Sequence, residues 1–295
     1  MGTVESPLVV GVDGSDSSLD ALVWAVDEAA RHSLALRLVY ASRWERYEGP
    51  AAFVEDLERP SEQQLIDAVV DVATECAHRR NAGVKVVAEV LPEDTVTALV
   101  TESRRASMLV TGTRGRGGLT GLLLGSVSLG VAARAHCPVV VVRGDTAGRK
   151  GTHGRVLLGI ADTGQGSSAA GFAFREAAVR ACELEAVRAW RRPAHQPADH
   201  ILQAADPGLY NRERAAAQID VAVSEEAQEH PEVLLRRSTV EGPAHKVLVQ
   251  HSAAADLVVV GAHRRQGHFG LQLGRVTHTV LHHSECPVAV VPQEE

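Results

Sequence analysis

The residue types best suited to chemistry lie between positions 112 and 126. Gly112-Thr-Arg-Gly115 is followed, after nine residues, by Gly125-Ser126. Glycine lets a backbone approach an anion closely and take φ > 0, and successive N–H groups then form an anion nest. Ser126 stands where a helix is expected to begin. Free N–H groups and the helix dipole there favour phosphate, and the Ser126 hydroxyl can donate to a phosphate oxygen. The same composition also suits a flexible loop capped by Ser126. A second loop, Gly11-Val12-Asp13-Gly14-Ser15, places a carboxylate at the end of the first expected strand. Asp13 can accept from ribose hydroxyls or an adenine amine, or reach a phosphate-bound metal. It can equally serve as a turn or helix-capping residue.

Short apolar runs alternating with amphipathic stretches must position these two loops. The pattern predicts strands at 7–12, 36–41, 84–90, 108–111 and 138–142. Between them it predicts helices at 17–31, from Ser61, near 95–103 and from Ser126. Ser61-x-x-Gln64 has the form of a capping box. Leu65, Val69, Val72 and Cys76 share one face of the helix that follows. Strands apolar on both faces, alternating with helices, imply an α/β fold with a parallel sheet covered on both sides. Ligands of such sheets sit at the carboxyl ends of the strands, where the strand order reverses. Both loops lie at that rim.

The chain is written twice. SMLVTGTRGRGGLTGLLLGSV (107–127) aligns with DLVVVGAHRRQGHFGLQLGRV (256–276), and HCPVVVV (136–142) with ECPVAVV (285–291), each 149 residues on. LVVGVDGSDSS near the start resembles VLLGIADTGQGSS (156–168), and LRLVYASRW (36–44) resembles LEAVRAWRR (184–192). We therefore expect two copies of one domain, at 1–147 and 148–295, joined by the Gly-rich polar stretch 144–154.

Composition bounds the function. Hydrophobic residues at 45% against 23% charged exclude disorder as the main state. No apolar run approaches the length of a bilayer span, and the N-terminus lacks the features of a signal peptide. The Met-Gly-x-x-x-Ser start matches a myristoylation pattern only formally. Four scattered cysteines fit a reducing, cytoplasmic setting and not a disulfide framework. Net charge of −7 and 3% aromatics argue against nucleic acid as a partner. The excess acid belongs mainly to the first copy, with 20 acidic and 14 basic residues over 1–147.

Gly-x2-Gly-x9-Gly-Ser after a strand, a first strand ending Val-Gly-Val-Asp-Gly-Ser and a closing Cys-Pro-Val-Val-Val-Val strand together resemble the universal stress protein family in its tandem, two-domain form. The resemblance covers almost the whole chain. It implies two Rossmann-like, doubly wound domains, each with a five-stranded parallel sheet of order 3-2-1-4-5. It also implies ATP as cofactor, with Mg²⁺. Transferred residue by residue, adenosine would meet Gly11, Val12 and Asp13, with the Ala41 backbone beside the base. Ribose and phosphates would meet Gly112, Arg114, Gly115, Gly125, Ser126, Val127 and Ser128. Arg114 and Arg116 would either add charge to the phosphates or remain solvated. The final strands, apolar and at sheet edges in the implied order, would pair the two copies or whole chains as a homodimer.

The second copy departs from this pattern. Arg264 replaces Gly115 and Arg275 replaces Ser126, while Gly261 and Gly274 remain. Position 13 corresponds to Ala161, with Asp162 beside it. A long side chain at a phosphate-facing glycine obstructs the backbone approach, so ATP is expected mainly in the N-terminal copy. The second copy also holds 11 of the 14 histidines. His278 and His282 have the i, i+4 spacing that can share a metal, although solvated or helix-capping roles suit them as well. Cys137 and Cys286 precede the final strands as small buried hydrophobes.

No Walker lysine, dinucleotide fingerprint, nucleophile elbow, kinase signature or paired zinc-ligand motif occurs. The first copy offers a cradle but no evident base for phosphoryl transfer. The expected role is a nucleotide-dependent regulatory or stress-response protein acting on an unknown protein partner. A slow ATPase or adenylate-transferring enzyme, and a scaffold that needs no ligand, are the alternatives.

Overall fold

Every strand of the first copy but one is built of residues that bury on both faces, which is what a sheet covered by helices on each side demands. The computed structural model describes residues 6–42, 62–113, 124–161, 168–192, 207–263 and 273–293. They divide into two compact units, Met1–Val142 and Arg143–Glu295.

The N-terminal unit runs β1 (Leu8–Gly11), α1 (Asp16–Arg31), β2 (Leu36–Ala41), α2 (Glu62–Arg80), β3 (Val86–Leu91), α3 (Thr95–Glu102), β4 (Met108–Gly112), α4 (Ser126–Arg134) and β5 (Val139–Val142). Its strands lie in the order β3-β2-β1-β4-β5, all parallel. Leu8 faces Leu36 on one side and Met108 on the other. β1 and β4 are buried throughout apart from Gly11. β3 at the edge is half exposed, with a ragged pattern. Right-handed crossovers place α1 and α2 together on one side and α3 and α4 together on the other.

The helix boundaries follow local chemistry. Ser15 caps α1 and Asp94 caps α3, each accepting from the N–H three residues on. In α2 the face implied by Leu65, Val69, Val72 and Cys76 is not the buried one. Leu65 and Val72 are 46% and 55% exposed, while Ile66, Ala73 and Ala77 are fully buried. The helix packs against α1 through its alanines, whose small side chains permit close approach. Leu65 and Val72 stay outside, while Ile66 is buried with the alanines. Ser61, the proposed start of the capping box, lies outside the described residues.

The C-terminal unit repeats the plan. A short α5 (Thr146–Lys150) precedes β6 (Arg155–Gly159), α6 (Ser168–Arg180), β7 (Glu183–Trp190), α7 (Pro207–Glu229), β8 (Leu235–Glu241), α8 (Ala244–Ser252), β9 (Leu257–His263), α9 (Arg275–His283) and β10 (Val288–Gln293). The strand order is β8-β7-β6-β9-β10, again all parallel. The order expected from the resemblance is therefore present in each unit.

The stretch 144–154 contains more than a connection. Asp145 caps α5 through the Gly148 N–H. Gly148 lies so close to Cys286 that an added Cβ would stand 2.8 Å from the cysteine Cβ. Gly144 takes φ +87° against the Glu285 carbonyl. Two glycines thus dock α5 onto the segment entering β10. No helix among the described residues is long and apolar enough to cross a membrane.

Candidate functional site

In the order β3-β2-β1-β4-β5, the chain leaves β1 toward one side of the sheet and β4 toward the other. The loops after these two strands therefore flank a crevice at the carboxyl edge. Gly11, Val12 and Asp13 come from the first loop, and Gly112, Gly125, Ser126, Val127 and Ser128 from the second.

Gly112 is explained by packing. A Cβ on it would fall 2.3 Å from the Ser17 carbonyl oxygen and 2.6 Å from the Ser17 hydroxyl, in the first turn of α1. Gly11 is also set by a neighbour, since its Cβ would come to 3.0 Å from the Leu99 side chain of α3. These two glycines draw α1 and α3 onto the sheet beside the crevice.

Gly125 is different. It is the N-cap of α4 at φ −66°, ψ 149°, extended backbone open to any residue. Its N–H donates to the Thr113 carbonyl at 2.6 Å, which closes the base of the loop. No side chain caps α4, whereas Ser15 and Asp94 cap α1 and α3 of the same unit. Helix N-termini leave N–H groups without intrahelical partners. At α4 these belong to the turn that contains Ser126, Val127 and Ser128. Ser128 itself is buried, and its hydroxyl donates to the Gly112 carbonyl at 2.6 Å. That proton is committed to holding α4 against β4, so Ser128 positions the turn.

Asp13 is built into the start of α1. Its Oδ1 accepts from the Ser15 N–H at 3.0 Å and the Ser15 hydroxyl at 2.6 Å. Gly14 between them takes φ +78°. The turn role open to this residue is thus realised, with the carboxylate fixed at the crevice rim. Val12 is buried, and its N–H donates to Val39 in β2. Ala41 ends β2, where its carbonyl accepts from the Thr95 hydroxyl at 3.1 Å. Arg114, Gly115 and Arg116 lie outside the described residues. Ser15, Ser17 and Thr95 were not selected from the sequence. The signal for Ser15 was present, since a serine directly before a helix is a preferred N-cap.

At the matching place in the C-terminal unit, Gly159 packs on Leu248 as Gly11 does on Leu99. Gly274 is the uncapped N-cap of α9, with open space where its Cβ would be. Arg275 follows it, exposed. Asp162 and Arg264 lie outside the described residues. Gly261 closes on the Gln293 side chain of β10. His278 and His282 stack with ring centroids 4.4 Å apart. Burial, followed by the neighbouring His278, His283 and Arg143, pulls the His282 pKa below its ordinary value.

Comparison with known proteins agrees with this architecture. The sequence model of the universal stress protein family matches residues 6–143 and 152–292. A universal stress protein of Mycobacterium tuberculosis is 35% identical over 296 residues, covering 97% of each chain. One from Mycolicibacterium smegmatis is 30% identical over 291 residues, also covering 97% of each. The crystal structure of a universal stress protein from Archaeoglobus fulgidus shares the fold at TM-score 0.60. It is 18% identical and covers 98% of this chain and 99% of that one.

Proposed function

This chain belongs to the universal stress protein family, and from that premise we infer that its N-terminal unit binds ATP as a regulatory ligand. The observation that carries the reading is the uncapped start of α4 at Gly125, directly beside the loop that fixes Asp13. A residue with a side chain would be sterically at ease on this backbone. A glycine at this position leaves the helix N-terminus without a side chain in front of it. Phosphates then meet the N–H groups of the α4 turn and the Ser126 hydroxyl. Gly11, Val12, Asp13 and the Ala41 backbone bound the adenosine side, and Gly112, Arg114, Gly115, Val127 and Ser128 complete the phosphate side. Mg²⁺ would neutralise phosphate charge that Asp13 and the acidic N-terminal unit otherwise repel.

The residues favour retention of nucleotide over turnover. Asp13, the carboxylate at the rim, is held by Ser15 in a turn, where it shapes the loop. Binding of ATP would then present a changed surface to a protein partner. Such a switch works only if ATP has different affinities for the two states.

Calorimetry of the full chain with ATP and Mg²⁺ tests the reading. The expected result is one strong site per chain, lost in Gly125→Val, a variant whose extended backbone angles keep the helix start intact. Two equal sites, or unchanged affinity in Gly125→Val, would overturn it.

A further inference from the structure

The C-terminal unit contains a cleft of about 420 Å³ at the carboxyl end of β7, between α7 and the N-termini of α8 and α9. Arg188, Arg191, Arg214, Arg275, His245 and Trp190 line it, and no carboxylate does among the described residues. We propose that this cleft binds a compact, multiply phosphorylated small molecule, gripped by the guanidinium groups of Arg188, Arg191, Arg214 and Arg275.

The comparison of the two units supports the assignment, because substitution after substitution moves in one direction. By strand register, Arg188 stands where the N-terminal unit has Tyr40, and Trp190 where it has Ser42. At the 149-residue offset of the later elements, Arg214 replaces Leu65, His245 replaces Val96 and Arg275 replaces Ser126. At the same corner, Glu93 and the capping Asp94 become Gly242 and Pro243. Three positions thus gain a permanent cation, one gains a histidine and two lose a carboxylate, while Arg191 keeps the charge of Arg43. α8 consequently begins without a side-chain cap, as α9 does, so two helix N-termini open on the same cleft.

The geometry suits phosphate. Guanidinium forks match phosphate oxygens bidentately. Arg188 donates to the Gln218 side chain at 2.9 Å and to the Ile160 carbonyl at 3.1 Å, which orient its guanidinium. Among the described residues Arg191, Arg214 and Arg275 make no ion pair with a carboxylate. The indole Nε1 of Trp190 is buried with no hydrogen-bond partner among the described residues. Burial, then the charges of Arg275, Arg191 and Lys246, hold the His245 pKa below its ordinary value. That is the response of an imidazole in a field without counter-charge. The volume is that of a small-molecule pocket, and a net chain charge of −7 disfavours a polyanionic polymer.

This site is separate from the N-terminal one and does not depend on it. The test uses inorganic tripolyphosphate as probe, titrated calorimetrically into the full chain carrying Gly125→Val, so that the α4 cradle is filled. One site is expected, weakening as salt rises. Replacing Arg214 by Leu and Arg275 by Ser, the residues of the other unit, should cost about ten-fold in affinity per arginine removed. Arg79→Ser, at an exposed arginine of α2, should leave the affinity unchanged. No binding in the Gly125→Val chain, or equal losses for Arg79→Ser and Arg275→Ser, would overturn the proposal. Loss of ATP affinity in Gly125→Val reports on the N-terminal reading, and loss of tripolyphosphate affinity in Arg275→Ser reports on this one.

Discussion

Gly112 lies against Ser17 with so little space that one added carbon would stand 2.3 Å from the Ser17 carbonyl oxygen. The last residue of β4 and the first turn of α1 are therefore joined by the absence of a side chain. This contact sets the width of the crevice in which Asp13 and Gly125 sit.

Gly112→Ala should accordingly act on stability before it acts on binding. Overpacking of this kind costs about 1–3 kcal/mol. A kilocalorie lowers Tm by roughly 2–4 °C in a unit of this size. Thermal unfolding is expected to show a drop of several degrees with or without nucleotide. Gly125→Val should leave Tm within about 1 °C in the absence of ligand, since the extended backbone there suits a β-branched residue without strain. Equal destabilisation by both variants would contradict the distinction drawn between the two glycines.

Asp256 anchors the other unit. Its buried carboxylate accepts from the backbone N–H groups of His153, Gly154 and Arg155 at 2.8, 2.7 and 3.2 Å. It thereby fixes the turn that enters β6. In the N-terminal unit the matching Ser107 makes a lighter version, donating to the Pro7 carbonyl at 3.2 Å. Asp256→Ala removes the charged acceptor of three part-buried backbone N–H groups and should cost about 1.5–3 kcal/mol, whereas Ser107→Ala should cost about 1 kcal/mol. Denaturant unfolding of the two variants measures the difference. Equal midpoints would show that the carboxylate is not the anchor.

Much of this was legible in the residues. The α/β class and the duplication follow from apolar runs that repeat with fixed spacing, because buried parallel strands leave a continuous apolar pattern, whereas the strand order was implied by the resemblance to the universal stress protein family. The cradle residues were legible as a motif, but their division of labour was not. Whether a glycine serves a ligand or a neighbour depends on what faces it, and Gly112 faces Ser17 only once α1 is folded onto the sheet. The buried face of α2 was missed because periodicity counts large apolar residues, while close helix packing selected Ala73 and Ala77. The cationic cleft was missed for a related reason. Arg188, Arg214, His245 and Arg275 are scattered over nearly 90 residues and meet only at the ends of β7, α7, α8 and α9.

Binding in that cleft should couple to proton uptake. His245, at the start of α8, faces Arg275 from α9, Arg191 from beyond β7, Lys246 on its own helix, and Arg214 and Arg188 across the cleft. Burial, then Arg275, Arg191 and Lys246, hold its pKa below the ordinary value in the free protein. A bound polyanion offsets the cations and raises it. The bound state then carries more proton, so affinity rises as pH falls from about 7.5 toward 6. Calorimetry with tripolyphosphate in buffers of different ionisation enthalpy should register net proton uptake. His245→Gln should remove the part of the uptake that belongs to the protein, and an unchanged value in that variant would exclude His245 as the coupled group.

The cysteines supply a test of the packing at the closing strands. Cys137 and Cys286 precede β5 and β10, and both are buried. Burial pushes each thiol up to about 12. For Cys286 the Ser284 hydroxyl opposes the shift without cancelling it. At pH 8 the reactive thiolate is then about one part in ten thousand at either site. Burial also raises the Cys182 pKa, though that side chain is partly accessible, as is Cys76. A chromogenic disulfide reagent at pH 8 should therefore modify Cys76 first and Cys182 slowly. Cys137 and Cys286 should react only at the rate of unfolding, and all four should react at once in denaturant. Rapid modification of Cys286 in the folded chain would show that α5, docked on it through Gly148, does not stay closed.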